Sequence, residues 1–166
     1  MPTRRDALMG SAIVLAALAG VAALRARPTR AAVADPLARG DAYWRRTLTP
    51  EEYAVLREDG TERPYSSALL DEHRRGVFAC AGCGLALFSS ATKFDSHTGW
   101  PSFWAPLPNA VVTSEDRSFF MLRTAVSCRR CAGHLGHVFN DGPPPTGLRY
   151  CMNGVALRFE PAAPAS

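Results

Sequence analysis

The stretch Val77-Phe78-Ala79-Cys80-Ala81-Gly82-Cys83-Gly84 reads as a short β-type run entering a tight Cys-x-x-Cys turn. A second pair, Cys128-Arg129-Arg130-Cys131, follows after 44 intervening residues, with Gly133 close behind. Such a turn points two thiolates the same way, and two facing knuckles make a tetrahedral site that suits zinc. The separation exceeds that of a compact zinc ribbon, so the knuckles would clamp distant parts of the chain together. That predicts a structural metal site with Cys80, Cys83, Cys128 and Cys131 as ligands. The competing reading is disulfides or two redox dithiols, the commoner fate of cysteines in an exported chain.

Working outward, the runs Ala86–Phe88, Val111–Thr113, Phe119–Val126, Val138–Phe139 and Val155–Phe159 repeat the β-type texture, with Gly and Pro between them. Short strands at this spacing predict an antiparallel, mainly β domain. A small helical preface precedes it. Thr49-Pro50-Glu51-Glu52 carries a cap, a first-turn proline and a capping-box glutamate, with Tyr53 and Leu56 on one face and Gly60 as a stop. A second short helix is expected over Ala68–Arg75, and Asp35–Leu48 reads as an extended lead-in. Residues 161–166 read as a tail.

With 166 residues the chain suits one domain with a real core. Of 19 basic and 15 acidic residues, five arginines and one aspartate lie in residues 1–34, so the body is balanced at fourteen each. The basic pI therefore belongs to the leader and does not predict nucleic-acid binding. That leader has Arg4-Arg5, an uncharged run from Ala7 to Leu24, and a small-residue pattern at Ala32-Val33-Ala34. This is the layout of a secretory signal of the twin-arginine type, which implies a bacterial periplasmic location. If the leader is uncut, its 18 uncharged residues would instead anchor the chain in the membrane. Twin-arginine export carries folded proteins, so metal can be loaded before the thiols meet an oxidant. A pair of redox motifs would also leave the fold without its staple. Both points favour zinc over disulfides.

The fifth cysteine stands alone in Gly147-Leu148-Arg149-Tyr150-Cys151-Met152-Asn153-Gly154. A lone cysteine is most often a buried structural residue. Here Arg149 and Asn153, two residues away on either side, would share its strand face, and Arg149 would favour the thiolate. His134 and His137 of "HLGHVFNDG" are available to complete a Cys/His/Asn nucleophile grouping. The residues alone leave the structural and nucleophilic readings open.

The blocks "TKFDSHTGWPSF", "CAGCG…LF", "HLGHVFNDGPPPTGLRYCMNGVALRF" and "LTPEEYAVLREDGTERPYS" resemble the B-type methionine sulfoxide reductases, in the family's order and over about residues 48–159. The resemblance implies two antiparallel sheets in a tent-like arrangement with a structural zinc site at the edge. It implies reduction of the R epimer of methionine sulfoxide through a sulfenic acid. By motif, Cys151 matches the catalytic cysteine, and His134, His137 and Asn153 match the polar residues around the sulfoxide. Trp100 matches the aromatic that holds the substrate methyl, with Phe139, Arg149 and Asp141 as further members of the site. Many family members carry a resolving cysteine where this chain has Thr98, so an external thiol, thioredoxin-like or other, is expected to reset Cys151. His97 stands where a glycine is expected and Gly154 where a serine is common. The partners implied are oxidised protein substrates, with no nucleic acid, no membrane after leader cleavage, and a monomeric state. The rival readings are a non-catalytic zinc β module that binds a ligand or partner, and a zinc hydrolase or deaminase. The latter needs an open metal position that four thiolates do not leave.

Overall fold

The computed structural model describes residues 39–118 and 121–163. The leader lies outside them, and among the described residues no helix is long and apolar enough to cross a membrane. Among the described residues two α-helices, α1 (Asp41–Thr47) and α2 (Pro50–Glu58), precede nine strands. These are β1 (Gly76–Cys80), β2 (Ala86–Ser89), β3 (Lys93–Phe94), β4 (Ser102–Phe103), β5 (Val111–Asp116), β6 (Arg123–Cys128), β7 (His134–Phe139), β8 (Arg149–Met152) and β9 (Leu157–Pro161). They form a three-stranded sheet, β2-β1-β9, and a six-stranded sheet, β3-β4-β8-β7-β6-β5. Every pairing is antiparallel, as the strand texture predicted.

The sheets meet through aromatic packing. Phe103 of β4 stacks on Phe88 of β2 at 4.4 Å and meets Phe78 of β1 edge-on at 5.0 Å. All three are fully buried, and ring pairs at these distances add specific geometry to the area they remove from water. Tyr150 of the neighbouring β8 adds a tilted contact to Phe88 at 5.9 Å.

Helix α2 forms as its residues dictate. Thr49 Oγ1 accepts from the Glu52 backbone N–H at 3.2 Å, and Glu52 Oε2 accepts from the Thr49 N–H at 2.9 Å. Tyr53, Val55 and Leu56 are buried, and the helix packs against β7 and the turn at 154–156. The helix ends on Asp59, which takes the left-handed conformation (φ 56°) expected of Gly60.

Three expectations change. The lead-in is not extended: residues 41–47 form α1, because Trp44 is buried to 1% exposure and lies under the Arg57 guanidinium at 4.8 Å. The Tyr53 hydroxyl also bonds Asp41, tying α1 to α2. Over residues 68–75 only a 3-10 turn, Ala68–Asp71, forms. It stops because Glu72 folds back to accept from both the Arg74 backbone N–H and its guanidinium. Strand β9 begins only at Leu157, since Gly154–Ala156 makes a further 3-10 turn. Strands β3 and β4, two residues each, carried no signal in the sequence.

Candidate active site

The knuckles behave as their spacing implies. Cys80 closes β1 in one sheet and Cys128 closes β6 in the other, and all four Sγ atoms lie within 4.8 Å of one another. Cys80 and Cys131 are 3.6 Å apart, and Cys83 and Cys128 are 3.5 Å apart. Four thiolates bound to zinc at about 2.3 Å sit roughly 3.8 Å from each other, so the sulfurs fit one tetrahedral ion. Hydrogen bonding to the neighbouring thiols pushes Cys80 and Cys131 up and holds Cys83 down. Such a shared-proton cluster is relieved when a divalent cation displaces the protons. In the second knuckle Ala132, not Gly133, takes the left-handed turn position (φ 54°). The four sulfurs are placed to hold one structural zinc that rivets the two sheets together.

The second cluster is built by register. On β8, Cys151 stands directly opposite Ser102 of β4 and His137 of β7. Strand β7 comes close at Gly136, where a Cβ would run into the Cys151 carbonyl oxygen. The result is a cavity of about 170 Å³ lined by Thr61, Trp100, Arg123, Gly136, His137, Phe139, Cys151 and Asn153. Five of the predicted residues therefore meet in one place: Cys151, His137, Trp100, Phe139 and Asn153.

Each wall is held from behind. Trp100 Nε1 donates to the Glu62 carbonyl at 3.2 Å, which sets the indole plane. Asn153 is 3% exposed, and its amide is tied to backbone: Oδ1 accepts from Glu62 N–H at 3.0 Å and Nδ2 donates to Leu135 O at 3.1 Å. It acts as a clamp on the cavity rim more than as a proton donor. The Glu62 carboxylate completes the clamp by accepting from the Gly154 and Val155 N–H groups at 2.6 and 2.9 Å. Sequence reasoning missed Glu62, because its partners lie some ninety residues away.

His134 does not line this cavity. It lies behind His137, ring centroids 5.3 Å apart, on an adjoining cleft that also includes Asp116 and Arg123. Asp116, also missed, accepts from His137 Nε2 at 2.8 Å and from Arg123 at 2.7 Å. A carboxylate only accepts, so His137 carries its proton on Nε2. The Ser118 backbone N–H, the Ser118 hydroxyl and His137 hold the Asp116 carboxyl well below the usual carboxylate range.

Arg149 is buried beside Cys151, its guanidinium 4.4 Å over the Phe139 ring. It donates twice to Asp141, at 2.9 and 2.8 Å. Asp141 itself is exposed and outside the cavity, so its part is to aim Arg149. Arg149 favours the Cys151 thiolate, as its place two residues away implied, but does not outweigh burial. Burial pushes the Cys151 thiol up, and Thr98, Arg149 and Ser102 only partly offset it. The resting group is a thiol.

The SelR domain family matches residues 48–161. The chain belongs to the SelR family. Proteins of this kind include the "Peptide methionine sulfoxide reductase MsrB" of Bradyrhizobium diazoefficiens, 55% identical over 128 residues that cover 76% of this chain and 92% of that protein. The protein of the same name from Leifsonia xyli is 56% identical over 127 residues, covering 75% and 91%. The SelR match thus includes both knuckles and every residue that lines the Cys151 cavity.

Proposed function

We propose that this chain is a peptide-methionine (R)-sulfoxide reductase. One observation carries the reading: in a SelR fold, a half-buried thiol lines a side-chain-sized cavity walled by Trp100 and Phe139, with His137 opposite. The cavity suits a methionine sulfoxide side chain, whose methyl group packs on the indole while its oxygen faces His137. Cys151 sulfur attacks the sulfoxide sulfur, and oxygen passes to Cys151, so that thiol and sulfoxide become sulfenic acid and thioether. The substrate sulfur is reduced, the Cys151 sulfur is oxidised, and the thiol proton ends on the transferred oxygen. His137, fixed by Asp116, assists that proton and polarises the oxygen. The zinc supplies a covalent-strength staple between sheets and takes no part in the redox step.

Two molecules of external thiol, or one dithiol, return the sulfenic acid to thiol with release of water. The other four cysteines are committed to the metal cluster, and Thr98 is the residue beside Cys151. Oxidised proteins are the substrates, and a thioredoxin-like protein or another thiol is the reductant. The Arg4-Arg5 leader supports export to a bacterial periplasm, which N-terminal sequencing of the fractionated protein tests. The decisive assay offers the R and S sulfoxides separately, with dithiothreitol, to zinc-bound wild type and to Cys151→Ser. Turnover is expected for wild type on the R epimer alone. No turnover on either epimer would leave a non-catalytic zinc module. Mass spectrometry after one turnover is expected to show a sulfenic acid on Cys151, and an intramolecular disulfide with zinc retained would overturn external recycling.

A further inference from the structure

Behind Cys151 lies a chain of hydroxyls that does not line the cavity. Thr98 Oγ1 is 3.8 Å from the Cys151 sulfur, Ser96 Oγ is 2.8 Å from Thr98 Oγ1, and Ser102 Oγ is 2.7 Å from Ser96 Oγ. The chain ends where Ser102, fully buried, donates to the Trp100 carbonyl at 3.2 Å. Each hydroxyl has one proton, and a carbonyl can only accept. Ser102 therefore spends its proton on Trp100 O and must accept from Ser96. Ser96 in turn must accept from Thr98, which leaves Thr98 to accept from the Cys151 S–H. Proton counting thus sets the polarity of the whole chain in the resting thiol.

The order must reverse when the sulfur carries charge. A thiolate cannot donate, so Thr98 turns to donate to it and Ser96 turns toward Thr98, while Ser102, which also reaches the Cys151 sulfur, is free to turn toward either. We infer that Thr98 is a further catalytic residue, a hydroxyl that accepts from the resting Cys151 and donates to its sulfur once the thiol proton has left, with Ser96 and Ser102 as positioning residues. The inference rests on the reductase reading for its place in turnover. The hydroxyl chain stops at the Trp100 carbonyl, which takes no proton at that end. On the cavity side His137, and in the reductase reading the sulfoxide oxygen, stand ready to take the thiol proton.

A hydrogen bond to a charged sulfur is stronger than one to a thiol, so the net effect of Thr98 is to ease ionisation. The test is the pH dependence of Cys151 alkylation by iodoacetamide in the zinc-bound chain, read by mass spectrometry. The charged or titratable groups facing this sulfur are Arg149 on β8, His137 on β7 and Arg123 on β6. Strand β4 contributes only Ser102, and on the loop before it Asp95 and His97 are exposed and paired with each other. All are unchanged in Thr98→Val, which removes the hydroxyl at nearly constant shape. Its alkylation midpoint is expected to rise by about one pH unit, with roughly tenfold slower alkylation at pH 7. Thr98→Ser is expected to restore most of the rate, and Ser96→Ala to shift the midpoint in the same direction by less. An unchanged midpoint in Thr98→Val with zinc and melting temperature intact would overturn the inference. So would a shift that Thr98→Ser does not rescue, since that would assign the effect to packing. Failure of wild type to reduce either sulfoxide would remove the reductase reading and leave the alkylation result standing.

Discussion

Cys151, the nucleophile of the proposed reaction, is a half-buried thiol whose charged form is disfavoured. Its folded-state pKa lies above the ordinary thiol value because burial disfavours charge. The sign follows directly: the thiolate fraction, and with it alkylation in the absence of substrate, rises with pH and continues rising past about 8.5, where an exposed cysteine has half-titrated. A midpoint at or below that value would contradict the burial argument. Folding stability linked to this group is present below about 8.5 and is lost as pH climbs through the raised value. Asp116 has the opposite sign. Its depressed pKa contributes stability above about 4, lost as the pH falls toward its folded-state value. Asp116→Asn keeps the shape but not the fixed tautomer of His137. It is expected to lower kcat by roughly tenfold to a hundredfold while KM and zinc content hold, as steady-state kinetics on the R sulfoxide would show. The two unusual neighbours also have local reasons. His97 occupies a left-handed position (φ 55°) and its backbone N–H is held by Asp95 Oδ1 at 2.9 Å, which lets a residue other than glycine sit there. Gly154 leaves room for Ser67, whose hydroxyl fills the space a side chain there would need.

At the scale of single elements, legibility tracks how local the stabilising chemistry is. Helix α2 could be read because its cap, proline and box partners lie within four residues. Thr49→Ala is expected to destabilise the domain by about 1 kcal/mol in urea titration, with the m-value unchanged. Helix α1 could not be read, because what forms it is Trp44 packing against residues beyond its own turn. Trp44→Ala is expected to cost about 3–5 kcal/mol, a loss far larger than seven residues of helix propensity would suggest. The strands show the same division. β1, β2 and β5 announce themselves by β-branched and aromatic runs, whereas β3 and β4 are strands only through their partners. The site depends on the illegible ones: β4 carries Ser102 opposite Cys151 and Phe103 between the sheets.

For the whole molecule the zinc cluster and the aromatic stack are the two joints between sheets. Phe103 joins them from inside, while Cys80, Cys83, Cys128 and Cys131 join them at the ends of β1 and β6. Removing the metal with a strong chelator is expected to lower the melting temperature and abolish turnover together, and Cys128→Ser is expected to do the same. Cys151→Ser is expected to abolish turnover with zinc and melting temperature intact, so the two classes of cysteine separate cleanly by metal analysis. The doubled Cys-x-x-Cys, the β texture, the α2 start and the solitary place of Cys151 were determined by the chain alone, since each rests on neighbours in sequence. The assembly around Cys151 was decided only by tertiary structure. Antiparallel register places Ser102 and His137 across from it, and Glu62, Thr98 and Asp116 reach the site or its supports through contacts spanning some twenty to ninety residues. Such contacts form only after the sheets close, and no local pattern of residues records them.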